Sequence, residues 1–289
     1  MPVPPTTVVE PRIWLAGCAR RNPLLIFFVL AYLFGWIGFL PLVLTNLGLG
    51  IIHADVPMEF IVAGAFAPTI AALCTQWLLE RNFRICRFST SWQKLLLGSV
   101  TGFAVIMIGF VILPGLTLVR ASPRTLQWSA LWTPAAYAVN WTTFLGGPIN
   151  EEPGWRGFAL PRLQLRYGPV LGSVVLGMLW AGWHFPLFLI HFVNIPTWAF
   201  AIVLIDLSIL LTWATNLSSF NILVPMLMHA AFNTSSRLLA AMCAGVPTRA
   251  RELIFYLCAA SATTLIVVLV TRGQLGLPGK PGWEVRPRS

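Results

Sequence analysis

Charged side chains are scarce in this sequence, and carboxylates are the scarcest of them. Only 10% of the 289 residues are charged, and nine are Asp or Glu. Hydrophobic residues make up 57%, which lies outside the range of soluble globular domains. Several apolar runs exceed the roughly 18 residues that a helix needs to cross a bilayer. The sequence therefore predicts an integral membrane protein.

Cysteine is rare, and its pattern excludes two kinds of site. The five cysteines are scattered and form no CxxC pair, which argues against a zinc–thiolate site and a disulfide framework. The net charge of +10 could indicate nucleic acid binding. However, the basic residues form neither a patch nor a stripe and fall between the apolar runs instead. We therefore expect the lipid bilayer as a partner and expect no nucleic acid partner.

Apolar runs separated by Gly, Pro, Asn and Arg predict an all-α, polytopic membrane bundle of about eight transmembrane helices. The first run, from Leu24 to Leu47, is too long for a cleavable signal and is expected to remain as the first span. The gaps after the fifth and sixth spans are short, so a count of seven stays open. We expect the spans at 24–47, 57–80, 95–119, 131–149, 169–191, 196–215, 220–244 and 252–271.

The chain divides according to these spans. We expect an N-terminal tail at 1–23, membrane helices at 24–130, a core that carries the chemistry at 131–245, a last transmembrane helix within 246–271, and a C-terminal tail at 272–289.

Lys and Arg are distributed unequally between the loops. Of the 19 basic residues, five fall on one side of the predicted membrane, and the others fall on the side of the two termini. Because cytoplasmic loops carry the excess of Lys and Arg, both termini are expected in the cytoplasm. The five on the outer side are Arg120, Arg124, Arg237, Arg249 and Arg251.

Two adjacent carboxylates, Glu151 and Glu152, follow the fourth predicted span. Neighbouring residues on a helix point about 100° apart, so the two cannot serve one purpose. Glu152 and Arg156 are four apart and share a face, which permits an ion pair and leaves Glu151 to face a cavity. Pro153 disfavours helix at Glu152, so we expect a break or kink there.

Two histidines lie within apolar runs. His184 precedes Phe185-Pro186, and this proline is expected to interrupt the helix near the imidazole. His229 and Asn233 are four apart on one face and could donate hydrogen bonds to a single oxygen. Taken singly, each polar group could equally be a structural contact between helices. Asp206, in the sixth span, is expected to form an interhelical hydrogen bond, or alternatively to contribute to the cavity.

Three motifs in this chain resemble those of the CAAX-processing and bacteriocin-immunity intramembrane proteases, known as the CPBP or Abi family. The family's pattern is EExxxR, then an aromatic-xxx-H, then HxxxN on successive membrane helices. Residues 151–156 match the first motif and 229–233 match the third. Residues 180–184 match the second, with Trp180 where the family more often has Phe. The resemblance covers about 131–245.

The resemblance implies roles for these residues. Glu151 and His184 would activate a water for attack on a scissile carbonyl, and His229 and Asn233 would stabilise the oxyanion. Glu152 and Arg156 would support Glu151. No cofactor is expected; the alternative is zinc held by Glu151, His184 and His229, since two His and one Glu equal the protein ligands of a catalytic zinc.

The resemblance therefore implies an intramembrane endopeptidase whose partner is a membrane-associated protein or peptide substrate. Two alternatives remain: a non-catalytic scaffold or immunity-type factor of the same family, and a proton-coupled transporter. No internal repeat supports the transporter. The excess of Arg over Lys suggests that the protein is bacterial, and we expect it in the cell membrane. The sequence does not indicate which substrate is cut.

Overall fold

The computed structural model describes residues 17, 19–88, 90–116, 147–242 and 250–277, and no strand occurs within these ranges. Turns and short irregular segments join the helices. The α-helices are α1 (Pro23–Leu44), α2 (Ile61–Ala65), α3 (Ala67–Glu80), α4 (Trp92–Met107), α5 (Pro148–Glu152), α6 (Leu160–Tyr167), α7 (Pro169–Trp183), α8 (Phe185–Leu189), α9 (Thr197–Leu217), α10 (Leu223–Met242) and α11 (Ala250–Val270). The all-α membrane bundle predicted from the sequence is confirmed.

Helix boundaries coincide with local signals in the sequence. Proline occupies the first helical position of α1 and of α7, where its missing N–H costs nothing. The Ser91 hydroxyl caps α4 by accepting a hydrogen bond from the Lys94 N–H. Helix α3 ends at Arg81 in the left-handed conformation, with φ of 55°.

Five helical segments within the described ranges are long and apolar enough to cross a membrane: Pro23–Leu44, Met58–Glu80, Trp92–Leu116, Thr197–Leu217 and Leu253–Val270. They correspond to the first, second, third, sixth and eighth predicted spans. Residues 131–146 of the fourth span lie outside the described residues. The predicted total of eight spans therefore stays a prediction.

The segment 148–167 is helical throughout, so of the break or kink expected at Pro153 the break does not occur. The irregularity takes another form, a π-helix at Pro153–Ala159 between α5 and α6. A π-helix absorbs the proline by shifting the hydrogen-bond register without ending the helix. The helical segment consequently extends beyond 149, where we placed the end of the fourth span.

The segment 148–167 runs beside α3. The Thr69 hydroxyl donates to the carbonyl of Asn150 at 2.5 Å, and Arg162 Nη2 donates to Gln76 Oε1 at 3.3 Å. The backbone of Gly154 also lies against Pro68, at the start of α3. The neighbours of Glu151 on α3 therefore lie near the middle of the membrane-crossing segment Met58–Glu80, which places this carboxylate deep in the bundle.

Helix α9 is the most buried of the five candidate spans and packs against α4, α7, α10 and α11. The backbones of α9 and α7 lie close together at Gly177, because a Cβ added to this glycine would lie 2.7 Å from the Cα of Ile205. Small residues at helix interfaces permit such close packing in membranes. The central helix is thereby fixed against the helix that leads to His184.

Candidate active site

Glu151 is held by two indole groups. Its Oε2 accepts hydrogen bonds from Trp155 Nε1 at 3.2 Å and from Trp180 Nε1 at 2.6 Å. The side chain is almost fully buried. None of the described hydrogen bonds uses Oε1. The carboxylate is therefore oriented by one oxygen and keeps the other for a ligand.

Glu152 joins two motifs of the sequence. Its Oε1 accepts from Arg156 Nη1 at 3.0 Å and lies 2.8 Å from His229 Nδ1. Glu152 and Arg156 are both fully buried. The guanidinium of Arg156 also stacks over the ring of Trp180, 4.4 Å from its centroid. The predicted pair of Glu152 and Arg156 is present, and it contacts both His229 and Trp180. Its expected support of Glu151 stays a prediction.

His184 lies in the interruption between α7 and α8, as expected from the proline two residues later. Its Nδ1 is 2.8 Å from the carbonyl oxygen of Trp180. A carbonyl only accepts hydrogen bonds, so Nδ1 carries the proton. Nε2 of the neutral ring is consequently a lone-pair acceptor, which is the form needed by a base.

His229 and Asn233 converge on one small space beside Gly147. A Cβ added to Gly147 would lie 3.2 Å from His229 Nε2 and 3.3 Å from Asn233 Nδ2. The backbone of Gly147 therefore packs closely against both side chains. A larger residue at this position would crowd His229 and Asn233.

One cavity of about 430 Å³ brings the candidate side chains together. Glu151, His184, His229 and Asn233 all line it. The rest of the lining is mainly aromatic and aliphatic, contributed by Phe39, Trp183, Leu187, Phe192, Phe200 and Phe232 among others. A few polar groups in an apolar concavity are typical of a site that binds and orients an apolar ligand.

Sequence reasoning missed three residues of this site. Trp155 and Trp180 were regarded only as parts of motifs, although both donate to Glu151. Gly147 was not considered, and only its place just before the Glu pair could have pointed to it. Indole N–H groups usually find a partner when they are buried, which was the available signal for the two tryptophans.

Asp206 lies outside the cavity lining and forms the interhelical hydrogen bond that we expected. Ser261 Oγ of α11 donates to Asp206 Oδ2 at 2.7 Å. This contact connects α9 and α11 within the membrane-spanning region, which satisfies a carboxyl group that would otherwise be costly there.

The zinc alternative requires Glu151, His184 and His229 to lie close enough together to bind one ion. Across the ranges that the structure describes, no three His, Cys, Asp or Glu side chains form such a group. The described hydrogen bonds use Oε2 of Glu151 and Nδ1 of each histidine, which leaves Oε1 of Glu151 and both Nε2 atoms for other ligands. The choice between a zinc site and a metal-free site stays a prediction.

The chain is similar to known proteases over its motif-bearing part. Residues 133–235 match the family described as Type II CAAX prenyl endopeptidase Rce1-like. The CAAX prenyl protease 2 of Methanococcus maripaludis, an archaeal relative, is 31% identical over 99 residues. This match covers 31% of the chain and 36% of the relative, so the similarity spans well under half of either protein. Both matches support, over this part of the chain, the family that the three motifs indicated.

Proposed function

Because residues 133–235 match the Rce1-like family of CAAX endopeptidases, we propose that this chain is an intramembrane endopeptidase that uses a water activated by Glu151 and His184. The observation that carries this proposal is the single cavity, inside a bundle of apolar helices, that Glu151, His184, His229 and Asn233 share. Such a cavity supplies both a base and hydrogen-bond donors where a peptide bond can be held away from bulk water.

Water activation uses the two acceptors that the hydrogen bonds leave available. Oε1 of Glu151 and Nε2 of His184 are not used by the described hydrogen bonds, and both side chains line the cavity. A water between them would give a proton to one acceptor and direct its oxygen at the scissile carbonyl carbon. The indoles of Trp155 and Trp180 keep the carboxylate oriented during this step.

Stabilisation of the oxyanion requires His229 to be doubly protonated. Its Nδ1–H donates to Glu152, and Nε2 donates to a substrate only if it also carries a proton. Arg156 Nη1 donates to the same oxygen of Glu152, so this carboxylate lies between the guanidinium and the imidazole. Nε2–H of His229 and the amide of Asn233 would then donate to the oxygen that becomes negative.

The remaining steps balance the reaction. The water oxygen forms a bond to the carbonyl carbon, and the oxyanion collapses as the bond from this carbon to the amide nitrogen breaks. The proton taken from the water passes to the leaving amine, which regenerates the base. The products are a carboxylic acid and an amine. The residues present can perform every step without a metal ion or another reactant.

The substrate class follows from the surroundings of the cavity. Phe39, Leu187, Phe192 and Phe200 form an apolar lining beside the polar residues. Such a lining favours an apolar segment of a membrane-associated protein or peptide. The relative's name refers to prenylated CAAX proteins, and whether this chain accepts such a protein is an open part of the proposal.

We expect Glu151→Gln to bind substrate but not to cleave it. Glutamine keeps the shape of the side chain and removes the proton acceptor, so cleavage should fall by at least the ~10²-fold of a lost general base. Peptides retained by this variant during purification would be identified by mass spectrometry, synthesised, and used to measure turnover by wild type and variant.

Glu80→Gln is the matched control, because it removes an exposed carboxylate outside the cavity. It should cleave the same peptides at the wild-type rate. If Glu151→Gln cleaves them as fast as the control does, the proposal of proteolysis at this site is wrong. If the wild-type protein performs its role in cells but cleaves none of these peptides, the scaffold alternative is favoured instead.

A further inference from the structure

The connection between α3 and α4 exposes aromatic and basic side chains together. We define the interfacial loop as residues 81–88 and 90–92. Its rings Phe83, Phe88 and Trp92 are 64%, 62% and 69% exposed. Arg84 and Arg87 lie between Phe83 and Phe88 in the sequence and are also exposed. Large rings with this exposure would be unfavourable in water, so their surroundings need an explanation.

The loop connects two candidate spans and must therefore lie at a membrane surface. The segment Met58–Glu80 precedes it and Trp92–Leu116 follows it. Aromatic rings are enriched at the headgroup level of bilayers, where one part of the ring contacts apolar chains and another contacts water. The position of the loop thus accounts for the exposed rings.

The two arginines have no carboxylate partner among the described side chains. Both described salt bridges involve Glu152, in the interior. Glu80, the carboxylate nearest in sequence to the loop, accepts hydrogen bonds from Gln76 and Asn82. The guanidinium groups of Arg84 and Arg87 are consequently available to an anion from outside the protein.

The backbone of the loop is fixed to the rest of the bundle. The carbonyl of Arg87 accepts from the Ile222 N–H at 2.9 Å, and the carbonyl of Phe88 accepts from Asn221 Nδ2 at 2.6 Å. The carbonyl of Ile85 lies so close to Gly157 that a Cβ there would approach it to 2.5 Å. These contacts hold the loop rigidly and leave its charged and aromatic side chains facing outward.

We infer that the interfacial loop binds the headgroups of anionic phospholipids in the leaflet that it contacts. The phosphate of a lipid would lie against Arg84 and Arg87, while the rings of Phe83, Phe88 and Trp92 enter the acyl boundary. A guanidinium provides the paired donors that phosphate accepts. A soluble acidic partner would pair with the arginines and leave the rings uncovered. This interaction is independent of the proposed proteolysis.

Lipid binding to the full-length protein in detergent tests this inference. Native mass spectrometry would count the phosphatidylglycerol and phosphatidylcholine molecules retained from an equimolar mixture. Wild type should prefer phosphatidylglycerol, and Arg84→Gln/Arg87→Gln should weaken this preference by about 5- to 30-fold. Phe83→Ser/Phe88→Ser should weaken the binding of both lipids.

Arg20→Gln/Arg21→Gln is the matched control. It removes the same charge from two exposed arginines immediately before α1 and should keep the wild-type preference. Equal retention of the two lipids by wild type would overturn the inference, as would an equal loss in the control pair or displacement of the lipid by inorganic phosphate. Should the loop's double variant not fold, Arg84→Gln and Arg87→Gln are measured singly against Arg20→Gln.

Discussion

At the scale of single residues, Trp180 contacts four candidate side chains at once. Its indole donates to Glu151, its carbonyl accepts from His184, and its ring lies against Arg156 and 5.1 Å from His229. Trp180→Phe keeps an aromatic ring but loses the N–H, and a hydrogen bond to a charged group contributes about 1.5–3 kcal/mol. We therefore expect kcat to fall by about 10- to 100-fold with a smaller change in KM, measured with a peptide that the enzyme cleaves.

Trp183→Phe controls for the loss of a buried indole. Trp183 is equally buried, and its Nε1 donates to the carbonyl of Ala31 at 3.1 Å, away from Glu151. This variant should lose thermal stability and lose less kcat than Trp180→Phe. Equal losses of kcat in the two variants would show that Trp180 acts through packing alone.

At the scale of structural elements, the pairing of Glu152 with Arg156 and His229 connects the segment 148–167 to α10. Arg156→Ala would leave a fully buried carboxylate with His229 as its only described partner. Removing one member of a buried ion pair costs about 3–5 kcal/mol, because the other charge stays uncompensated. We expect this variant to lose both thermal stability and activity, measured as melting temperature and peptide turnover in the same detergent.

Arg166→Ala is the control that distinguishes the loss of the buried ion pair from the loss of any arginine in the same segment. Arg166 lies in α6 of the same segment, but its side chain is exposed and stacks on Tyr167. Exposed substitutions of this kind usually change stability by less than about 0.5 kcal/mol. A melting temperature of Arg156→Ala equal to that of Arg166→Ala would show that the buried pair does not stabilise the bundle.

At the scale of the whole molecule, turns that the charge pattern assigns to one side of the membrane contact one another. The end of α3 meets α6 through Gln76 and Arg162, and the interfacial loop meets the turn before α10. Asn216 Nδ2, near the end of α9, donates to the carbonyl of Leu275 at 2.9 Å. These contacts accord with the predicted order of the spans, and the cytoplasmic location of both termini stays a prediction.

Reporter fusions test that topology. A reporter at Ser289 should be active on the cytoplasmic side, and one inserted in the 48–56 loop should be active on the opposite side. A third reporter, placed in the interfacial loop, should be active on the same side as the one at Ser289. If the reporters at Ser289 and in the 48–56 loop report the same side, the count of spans or their orientation is wrong.

Much of this protein was predictable from sequence because its signals are local. Hydropathy over about 20 residues identifies candidate membrane helices, and five of the predicted spans are helical segments that follow that rule. The spacing of four between His229 and Asn233 placed both on one helical face, and they do line the same cavity. Pro186 similarly predicted the interruption at His184. Each of these properties depends only on neighbours within one or two helical turns.

The tertiary structure alone decided which side chains meet across helices. The contact of Glu152 with His229 spans 77 residues, and that of Trp180 with Glu151 spans 29. Such contacts depend on how each helix is rotated and at what depth it lies. An amphipathic helix reveals its inner face in its sequence, but a helix that is apolar all round does not. Helices such as α1 and α7 are of the second kind, so only their packing shows which residues face the site.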